Sequence, residues 1–453
     1  MLPWGAGEMR SLRVVGPALA VSLLTACEQA GDNDSRADSG EDSAPIVGSG
    51  ARGDLSHRAV VAIVGEQGGL CSGTVVRRSA DGGRLYVLTA AHCCPEPGSG
   101  LTLRIGADFA EPARILPVAS YQRHPCYNTL SNDYDFCVAE VEDRGDLDIT
   151  PIPLAAAPDA IEVGGSVTLV GYGSTPARNT IRRQVDGRFA AIAPLTISVD
   201  QTRGLGGVCF GDSGGPALVI QDGVEVVAGV MSFVAPTSLC NVVGVAGRVA
   251  FAGVRNEFLD KVLAGEPTSL QNTRIQRQGT TPGLVRDTYL ASDEPARSFG
   301  SRVEMLVGTP PGAEAERRAL VHFDLAGLPA GATLLTARVG LHAESNTGPG
   351  VLEVHRVTKE WDEATETWAS FGEGGFDPTP VASSSNATAI VKSSSQVWFD
   401  VTGLAADWFS GKVPDHGILL RQPGSAQTQL LSSEIGRTGE RPWMHLCYLP
   451  GQR

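Results

Sequence analysis

One stretch of the chain concentrates residue types that could carry out nucleophilic chemistry: Cys209-Phe-Gly-Asp-Ser-Gly-Gly-Pro216. Its serine, Ser213, lies among glycines, which adopt φ/ψ values closed to other residues and can therefore point backbone N–H groups at a reacting carbonyl. A Gly-x-Ser-x-Gly pattern by itself is weak evidence, because it occurs at unrelated nucleophile sites. The residues that could activate the serine must be sought elsewhere in the chain.

Two further runs could supply a base and an acid, and both precede the serine: Thr89-Ala-Ala-His-Cys93 and Asn132-Asp-Tyr-Asp-Phe136. A serine hydroxyl is a poor nucleophile, so a histidine must take its proton as it attacks. In α/β-hydrolases the acid and the histidine follow the nucleophile, which argues against that fold here. The order His, Asp, Ser is the one found in chymotrypsin.

Together, the three runs resemble those of the chymotrypsin-like (trypsin-superfamily) serine proteases. The resemblance implies that His92 is the general base and that the backbone amides of Gly211 and Ser213 form an oxyanion hole. It assigns the acid to Asp135 instead of Asp133, because the apolar stretch after Asp135 matches the family's strand that follows the catalytic aspartate.

The resemblance also locates a primary specificity pocket. Gly207, six residues before the nucleophile, would form its floor and is followed by Val208, so no carboxylate is expected there to bind Arg or Lys. A branched side chain in the wall should narrow the mouth and favour Ala, Val or Leu before the scissile bond. The expected walls are Ser232, Phe233 and Val234 on one side and Gly244 on the other.

Ile46-Val-Gly48 resembles the mature N-terminus of the same family. There, activation cleavage frees an α-amine that pairs with the aspartate before the nucleophile, here Asp212. The pairing is physically reasonable because a buried carboxylate needs a charged partner. Pro45 stands where trypsin-activated members carry Arg or Lys, so a trypsin-like activator is not expected.

Nine cysteines indicate disulfides and an oxidising compartment. The resemblance implies the bridges Cys71–Cys93 and Cys209–Cys240. Cys94 is expected to pair with either Cys126 or Cys137. Cys447 is expected to be a buried thiol. These residues show no metal-ligand spacing, so no metal site is predicted from them.

The N-terminus has the features of an export signal. Two arginines precede an apolar run over residues 14–24 that is too short to span a bilayer. The run ends in Leu24-Thr-Ala-Cys27, which resembles the lipobox of bacterial lipoproteins, so residues 1–27 would carry the signal and Cys27 the lipid. The alternative is a plain secretory signal. The acidic residues 28–45 are predicted to be a tether or propeptide, and cleavage before Ile46 would separate the protease from the lipid.

Short β-rich runs broken by Gly, Asp and Pro surround these motifs over residues 46–265, as expected of an antiparallel barrel. Gln221-Asp-Gly223 predicts a hairpin turn. Helical spacing runs from Phe251 to Leu263, which matches the closing helix of the protease family. The region is therefore predicted to be a chymotrypsin-like double antiparallel β-barrel.

Residues 266–284 are polar and are predicted to be a linker, whereas 285–453 are again β-rich. Asp287-Thr-Tyr-Leu290, Glu360-Trp361 and Ser432-Ser-Glu434 resemble, in that order, the DNRLRE family of jelly-roll β-sandwich domains, which are related to carbohydrate-binding modules. The resemblance implies attachment to a polysaccharide or cell surface. The domain contains four tryptophans that could stack on sugars: Trp361, Trp368, Trp398 and Trp408. The alternative, which is expected for most of them, is that they are core or rim residues of the sandwich.

Length and charge complete the prediction. The 453 residues suggest two or three domains, and a formal charge of −14 argues against a nucleic-acid partner. We predict an all-β, exported serine endopeptidase that cleaves proteins or peptides through an acyl-enzyme, contacts the membrane only through a lipid and needs no cofactor. Loop aspartates could hold a structural Ca²⁺, but no ligand loop is recognisable. The alternative is an inert surface adhesin or polysaccharide binder on a protease scaffold.

Overall fold

The computed structural model describes residues 50–95, 100–173, 180–235, 240–278, 283–386 and 395–451. Cys27, Pro45 and Ile46, which carry the predictions about lipidation and activation, lie outside these ranges. All described residues belong to one compact unit. No helix within them is long and apolar enough to cross a membrane.

The first half of residues 52–265 forms a closed six-stranded barrel. Strand β5 buries one side against the core, since its leucines and isoleucine are buried and the residues between them only partly so, whereas β2 and β4 are apolar and buried along most of their length. The barrel order is β2-β3-β4-β7-β6-β5, with all neighbours antiparallel. The strands of this half are β1 (Arg52–Gly53), β2 (Val60–Gly65), β3 (Leu70–Arg78), β4 (Arg84–Thr89), β5 (Leu101–Ile105), β6 (Arg114–Arg123) and β7 (Cys137–Glu142).

The second half is a barrel of the same kind. Its strands are β8 (Ser166–Gly171), β9 (Arg183–Ile192), β10 (Thr196–Asp200), β11 (Pro216–Gln221), β12 (Val224–Ala235) and β13 (Val243–Arg248). They run in the order β9-β10-β13-β12-β11-β8, the pairing of β8 with β9 closes the barrel, and β1 adds to the outer edge of β9. The predicted hairpin turn joins β11 to β12 through Asp222 and Gly223, whose φ values of 52° and 79° suit such a tight turn.

A helical segment follows the second barrel, as the spacing predicts. It consists of α1 (Ala252–Val254), a π-helical turn (Arg255–Leu259) and α2 (Asp260–Ala264), and it ends at Gly265 in the left-handed conformation. Its apolar residues, among them Phe258 and Leu259, are buried in the same core as the first barrel. In the described part of the chain, short 3₁₀ turns also occur at Ala91–Cys93, Thr202–Gly204 and Thr438–Glu440.

The C-terminal region is one antiparallel network of eleven strands that curls around its own core. The order is β14-β24-β18-β23-β16-β17-β22-β19-β20, with β15 on β17 and β21 on β18. The strands are β14 (Gln271–Gln276), β15 (Val285–Ala291), β16 (Glu304–Gly308), β17 (Arg317–Phe323), β18 (Thr333–Asn346), β19 (Gly350–Arg356), β20 (Ala382–Asn386), β21 (Ser395–Asp400), β22 (Ile418–Arg421), β23 (Gln427–Leu431) and β24 (Trp443–Leu449), and the helices are α3 (Trp368–Phe371) and α4 (Thr402–Phe409).

The all-β fold class, with a double barrel followed by a β domain, is confirmed. The predicted linker is not confirmed as such, because residues 266–284 contain strand β14, which pairs along its whole length with β24. Its polar composition reflects an edge strand that buries few side chains: only Ile275 and Gln276 are buried. The C-terminal domain therefore begins before residue 285.

Candidate active site

His92 and Asp135 come together because their strands are neighbours. His92 lies in the turn after β4, Asp135 lies just before β7, and Thr89 of β4 pairs with Cys137 of β7. The Asp135 carboxylate accepts a hydrogen bond from the His92 backbone N–H at 2.9 Å and another from ring Nδ1 at 2.7 Å. With the Nδ1 proton held by Asp135, Nε2 is the ring nitrogen that can accept a proton.

Ser232 completes the environment of the Asp135 carboxylate. It was expected as a pocket wall, but its hydroxyl donates to Asp135 Oδ2 at 2.5 Å, from strand β12 of the other barrel. The carboxylate is buried and accepts three hydrogen bonds, so its charge is compensated and its orientation is fixed. Sequence alone gave Ser232 a place in the site but missed this contact.

Ser213 lies at the junction of the two barrels. Its carbonyl oxygen accepts a hydrogen bond from the Ser72 N–H of β3 at 2.8 Å, and its Oγ donates to the Ser232 carbonyl at 3.5 Å. Within the described ranges Ser213 Oγ makes no hydrogen bond to His92, although both side chains line the same cavity. Hydrogen bonds between catalytic groups are often long before substrate binds, so this geometry does not by itself exclude Ser213 as the partner of His92.

The glycines around Ser213 are required by close packing. A side chain at Gly214 would place its Cβ 2.0 Å from Thr89 Oγ1 and 2.3 Å from the Ser72 carbonyl, and Gly214 also has a φ of 82°. A Cβ at Gly215 would lie 2.6 Å from the Val170 carbonyl. The loop can therefore reach the first barrel only because these positions lack side chains.

The backbone amides of Gly211 and Ser213 donate no hydrogen bond within the described part of the chain. Asp212, between them, is buried and accepts hydrogen bonds from the backbone N–H groups of Gly173 at 2.7 Å and Cys209 at 2.9 Å. A Cβ at Gly173 would lie 2.5 Å from the Asp212 carboxylate, so this glycine makes room for it. Two unpaired donors thus remain next to the candidate nucleophile.

A cavity of about 280 Å³ opens beside Ser213 and His92. The expected wall residues Ser232, Phe233 and Val234 line it, as does Val208. Gly207 and Gly244 do not, although the sequence placed the pocket floor and the opposite wall at these two positions. Cys209, which the sequence assigned to a disulfide with Cys240, also lines the cavity, and so do Asn132, Phe210 and Met231, to which sequence analysis gave no role.

Gln201 explains why the cavity stops short of the two glycines. Its fully buried side chain occupies their space: a Cβ at Gly207 would lie 2.1 Å from Gln201 Cδ, and one at Gly244 would lie 2.2 Å from Gln201 Oε1. Gln201 Nε2 donates to the carbonyls of Val208 (3.0 Å) and Cys240 (2.7 Å), and Oε1 accepts from the Val208 N–H at 3.0 Å. No motif in the sequence pointed to Gln201.

The loop from residue 124 to 136, called the Asp loop below, is held by the C-terminal domain. Asp133 forms an ion pair with Arg338 of β18 at 3.1 Å, whereas Asp135 contacts His92, so the two aspartates have separate partners. The Asn272 side chain of β14 donates to the Pro125 carbonyl at 2.6 Å. In the sequence of β18, Arg338 stands between the apolar residues Ala337 and Val339 of an alternating strand. This alternation places Arg338 on the opposite side of the strand from them, and it was the sequence signal that Arg338 needs a polar partner.

The prediction that Cys447 is a free thiol is wrong. Cys447 forms a disulfide with Cys126 of the Asp loop, 321 residues away in the chain. Cys126 is therefore not available to Cys94, which pairs with Cys137, one of its two predicted partners. The remaining two disulfides, Cys71–Cys93 and Cys209–Cys240, are those that the resemblance implies.

Burial alters the titration of two rings in the Asp loop. Burial lowers the pKa of His124 to about 3, since the ring packs against Tyr134 and Phe258 and is neutral. Its Nδ1 accepts from the Cys126 N–H at 3.1 Å, so the proton is on Nε2, which faces the Gly253 carbonyl at 3.3 Å. Burial, together with the negative charge of Asp135, raises the pKa of Tyr127 to about 12.

The four tryptophans of the C-terminal domain differ in exposure. Trp361 and Trp408 are buried in its cores, and the guanidinium of Arg318 lies 4.4 Å from the ring centre of Trp368. Trp398, on β21, is 38% exposed. Most of these residues therefore serve packing, and Trp398 is the one with an open face.

Comparison with known families divides the chain in the same way. Residues 46–254 match the family described as Trypsin, and residues 280–444 match the family described as Carbohydrate-binding module family 96. A solved structure, human heparin binding protein, aligns at 22% identity and a TM-score of 0.39, covering 49% of this chain and 97% of that one.

Curated relatives match at low identity. A trypsin from Phaedon cochleariae is 30% identical over 169 residues, 32% of this chain and 64% of the relative, so the chain spans less than two thirds of that protein. Trypsin 5G1 from Aedes aegypti is 26% identical over 36% of this chain and 68% of the relative, and a chymase from Papio hamadryas is 26% identical over 33% and 64%. The chain is thus similar to the trypsin family over residues 46–254 and to carbohydrate-binding module family 96 over residues 280–444.

Proposed function

We propose that the chain is a serine endopeptidase in which Ser213 is the nucleophile, His92 the general base and Asp135 the group that orients His92. The observation that carries the proposal is the paired hydrogen bonding of His92 to Asp135 with Ser213 in the same cavity. This arrangement leaves His92 Nε2 free to take a proton from a hydroxyl.

The proton and bond changes follow from these positions. Ser213 Oγ attacks the scissile carbonyl carbon while His92 Nε2 takes the hydroxyl proton, and the amides of Gly211 and Ser213 donate to the oxyanion. His92 then gives the proton to the leaving amine as the C–N bond breaks, leaving an acyl-enzyme. Water then attacks the carbonyl carbon of the acyl-enzyme while His92 Nε2 takes one of its protons. His92 returns this proton to Ser213 Oγ as the ester bond breaks, so that Ser213 regains its hydroxyl.

We further propose that the residue before the scissile bond is small or of medium size and apolar. The cavity is lined by Val208, Met231 and Val234, and the side chain of Gln201 occupies the space beneath it. A carboxylate that could pair with Arg or Lys is absent from the described lining. Ala, Val and Leu fit this shape, whereas a long side chain would have to displace Gln201.

A fluorophosphonate probe tests the catalytic assignment, because it reacts only with an activated serine. The full chain is expected to be labelled and the Ser213→Ala variant is not, with Ser345→Ala, at an exposed serine of β18, as the control that keeps the whole site. The N-terminus of each sample should be sequenced, since labelling that appears only after cleavage before Ile46 would support the activation mechanism with Asp212. Absence of Ser213-dependent labelling in both the cleaved and uncleaved forms would favour the inert adhesin instead.

The remaining proposals concern location and ligand. The match to a carbohydrate-binding module supports a polysaccharide ligand for the C-terminal domain, and the exposed face of Trp398 is the described surface suited to stacking on a sugar.

Four disulfides suit an oxidising compartment, in line with export through the N-terminal signal and a lipid on Cys27. Intact-mass analysis of the membrane fraction would detect that lipid, and a polysaccharide pull-down with Trp398→Ala would test the stacking surface.

A further inference from the structure

Three carboxylates converge in the C-terminal domain, away from the candidate active site. Asp287 lies in β15, Glu363 lies in the loop before α3, and Glu434 follows β23. One oxygen from each of the three lies within 4.8 Å of the others. Residues so far apart in sequence meet only because the curled sheet brings β15 and the loop after β23 to one place.

Two oxygens of this group lack partners within the described part of the chain. Asp287 is 1% exposed, and although its Oδ2 accepts the Ser433 N–H at 2.9 Å, its Oδ1 has no hydrogen bond. The buried Oε2 of Glu434 also has none. Glu363 Oε1 accepts the Asp287 N–H at 2.9 Å, which holds the third carboxylate against the other two. A buried carboxylate oxygen without a donor is costly, so these two oxygens are suited to contact a cation.

Ion pairs between described residues leave the cluster with a net negative charge, although Arg286 also acts on Glu363 through its charge. Arg277 bonds to Glu434 and lies 3.7 Å from Glu363, and it is the single cation in ion-pair contact with the cluster among the described residues. Arg286, the next basic residue, covers the ring of Trp361 and donates to its carbonyl. Three carboxylates with one guanidinium keep a formal charge of −2, which equals the charge that one divalent cation would neutralise.

We propose that Asp287, Glu363 and Glu434 bind one Ca²⁺ ion. All donors are oxygens, the set that hard cations prefer and that Zn²⁺ does not. Ca²⁺–oxygen distances of about 2.3–2.6 Å let ligands on opposite sides of the ion lie about 5 Å apart, whereas about 2.0–2.1 Å for Mg²⁺ requires a tighter group. The ion would tie β15 to the loops before α3 and after β23, so it would stabilise the domain without taking part in proteolysis.

The test uses the full chain, stripped with EDTA, dialysed and titrated with CaCl₂ in a calorimeter. We expect one ion per chain with a Kd of about 0.1–1 mM or tighter, as for extracellular calcium sites, and binding of MgCl₂ at least about 10-fold weaker. The thermal midpoint of the stripped chain should rise when Ca²⁺ is restored. A chain that binds no Ca²⁺ at 10 mM, about 10-fold above the weakest expected Kd, would overturn the proposal.

Variants assign the binding to the cluster. Glu434→Gln removes one ligand charge at the most accessible of the three positions and should weaken Ca²⁺ binding at least about 10-fold. Glu440→Gln, which removes a carboxylate paired with Arg437 on the surface, is the matched control and should bind like the parent. Equal affinity in Glu434→Gln and the parent would contradict the site.

A second measurement avoids variants that fail to fold. Terbium, a luminescent substitute for Ca²⁺, can be added to the unmodified chain and excited through Trp361, two residues from Glu363. Emission that Ca²⁺ displaces supports the site, and the lack of sensitised emission contradicts it. Fluorophosphonate labelling of Ser213 should be the same with and without EDTA, so failure of the calcium site and failure of the protease proposal are told apart.

Discussion

At the residue scale, Gln201 shows how one buried amide can set the depth of a pocket. Its carboxamide lies between Gly207 and Gly244, where it bonds to the backbone on both sides. Three hydrogen bonds hold the side chain, so a substrate side chain would have to break them to enter. Glycine at both positions therefore does not mean an open pocket, because a third residue fills the space.

Replacing Gln201 with alanine should deepen this pocket. We expect kcat/KM for peptides with Leu or Phe before the scissile bond to rise at least about 10-fold relative to Ala, since the freed volume accepts larger apolar groups. Cleavage kinetics on matched peptides measure the effect. Gln221→Ala, at the end of β11 beside the hairpin turn, is the control and should leave the preference among these peptides unchanged. If Gln201→Ala has the same substrate preference as the parent, the amide of Gln201 does not limit the size of the side chain that the pocket accepts.

Ser232 is the second residue whose role is set by one contact. Ser232→Ala removes the donor to Asp135 Oδ2, so the carboxylate keeps two of its three hydrogen bonds. We expect kcat to fall about 10-fold with little change in KM, because a bond to a charged group is worth about 1.5–3 kcal/mol and part of it is replaced by water. Steady-state kinetics measure the change. Ser232→Thr keeps the hydroxyl and should restore most of the activity, whereas equal loss in both variants would indicate a packing effect.

At the scale of elements, the Asp loop is shared between two domains. Its Asp135 faces His92, while Asp133 and Cys126 bind residues of β18 and β24 in the C-terminal domain. Strand β14, which the sequence assigned to a linker, adds a further contact through Asn272. The C-terminal domain is therefore attached to the loop that carries Asp135, a candidate catalytic residue, and contacts in this domain can affect the orientation of Asp135.

Arg338→Ala tests this connection. It leaves the Asp133 carboxylate buried without its cation, and burial already raises the pKa of Asp133, so the loop should rearrange or Asp133 should become protonated. We expect kcat to fall about 10-fold with KM nearly constant, because His92 loses its fixed orientation while the pocket is untouched. Arg338→Lys should recover part of the loss.

The control for this experiment is Arg437→Ala, in an exposed ion pair of the same domain, which should have parental kinetics. If Arg338→Ala lowers stability but leaves kcat unchanged, the domain contact has no role in orienting the site. If kcat and KM change together, the effect has reached the pocket as well.

At the scale of the whole molecule, part of the contact between the first barrel and the C-terminal domain is apolar, and each of the two regions contains a buried histidine. Cys447 belongs to the same core as Phe258 and Tyr134 of the protease region. Burial lowers the pKa of His124 to about 3, and burial with the nearby Arg274 lowers the pKa of His445 to about 4. Both histidines have ordinary values of 6.5 in the unfolded chain.

These pKa values give a sign for the pH dependence of stability. Between pH 6.5 and about 4 the unfolded chain binds a proton at each histidine and the folded chain does not, so acidification favours unfolding. The free energy of unfolding should fall by about 1.4 kcal/mol per pH unit for each histidine as pH decreases through this window. The contribution of His445 is fully present above pH 6.5 and lost below about pH 4.

Urea unfolding at several pH values between 7 and 4 measures this slope, in a Ser213→Ala background that prevents self-cleavage. His445→Gln should reduce the slope in this range, because the glutamine takes up no proton. His57→Gln is a useful contrast. Burial lowers the pKa of His57, but the hydrogen bonds and negative charges of Asp54 and Glu225 together outweigh it and raise the value, so the stabilisation from His57 should instead increase on acidification. Identical slopes in the parent and His445→Gln would contradict the assignment.

The sequence by itself determined the parts of this protein that depend on local chemistry. The glycines around Ser213, the order of His92, Asp135 and Ser213, and the alternation of apolar residues in the strands could all be read directly, because backbone freedom and side-chain period are properties of short segments. The short β-rich runs indicated an antiparallel barrel and the spacing of apolar residues indicated the helix after it, whereas the two-barrel fold was what the family resemblance implied.

Only the tertiary structure decided how distant residues share space. It showed Gln201 occupying the space of the expected pocket floor, Ser232 turned toward Asp135, and Cys126 bonded to Cys447 across 321 residues. It also brought Asp287 next to Glu434. None of these contacts can be predicted from a periodicity or a fixed spacing in the sequence, because each joins residues of separate strands or loops. The register of the whole sheet decides which of these residues meet.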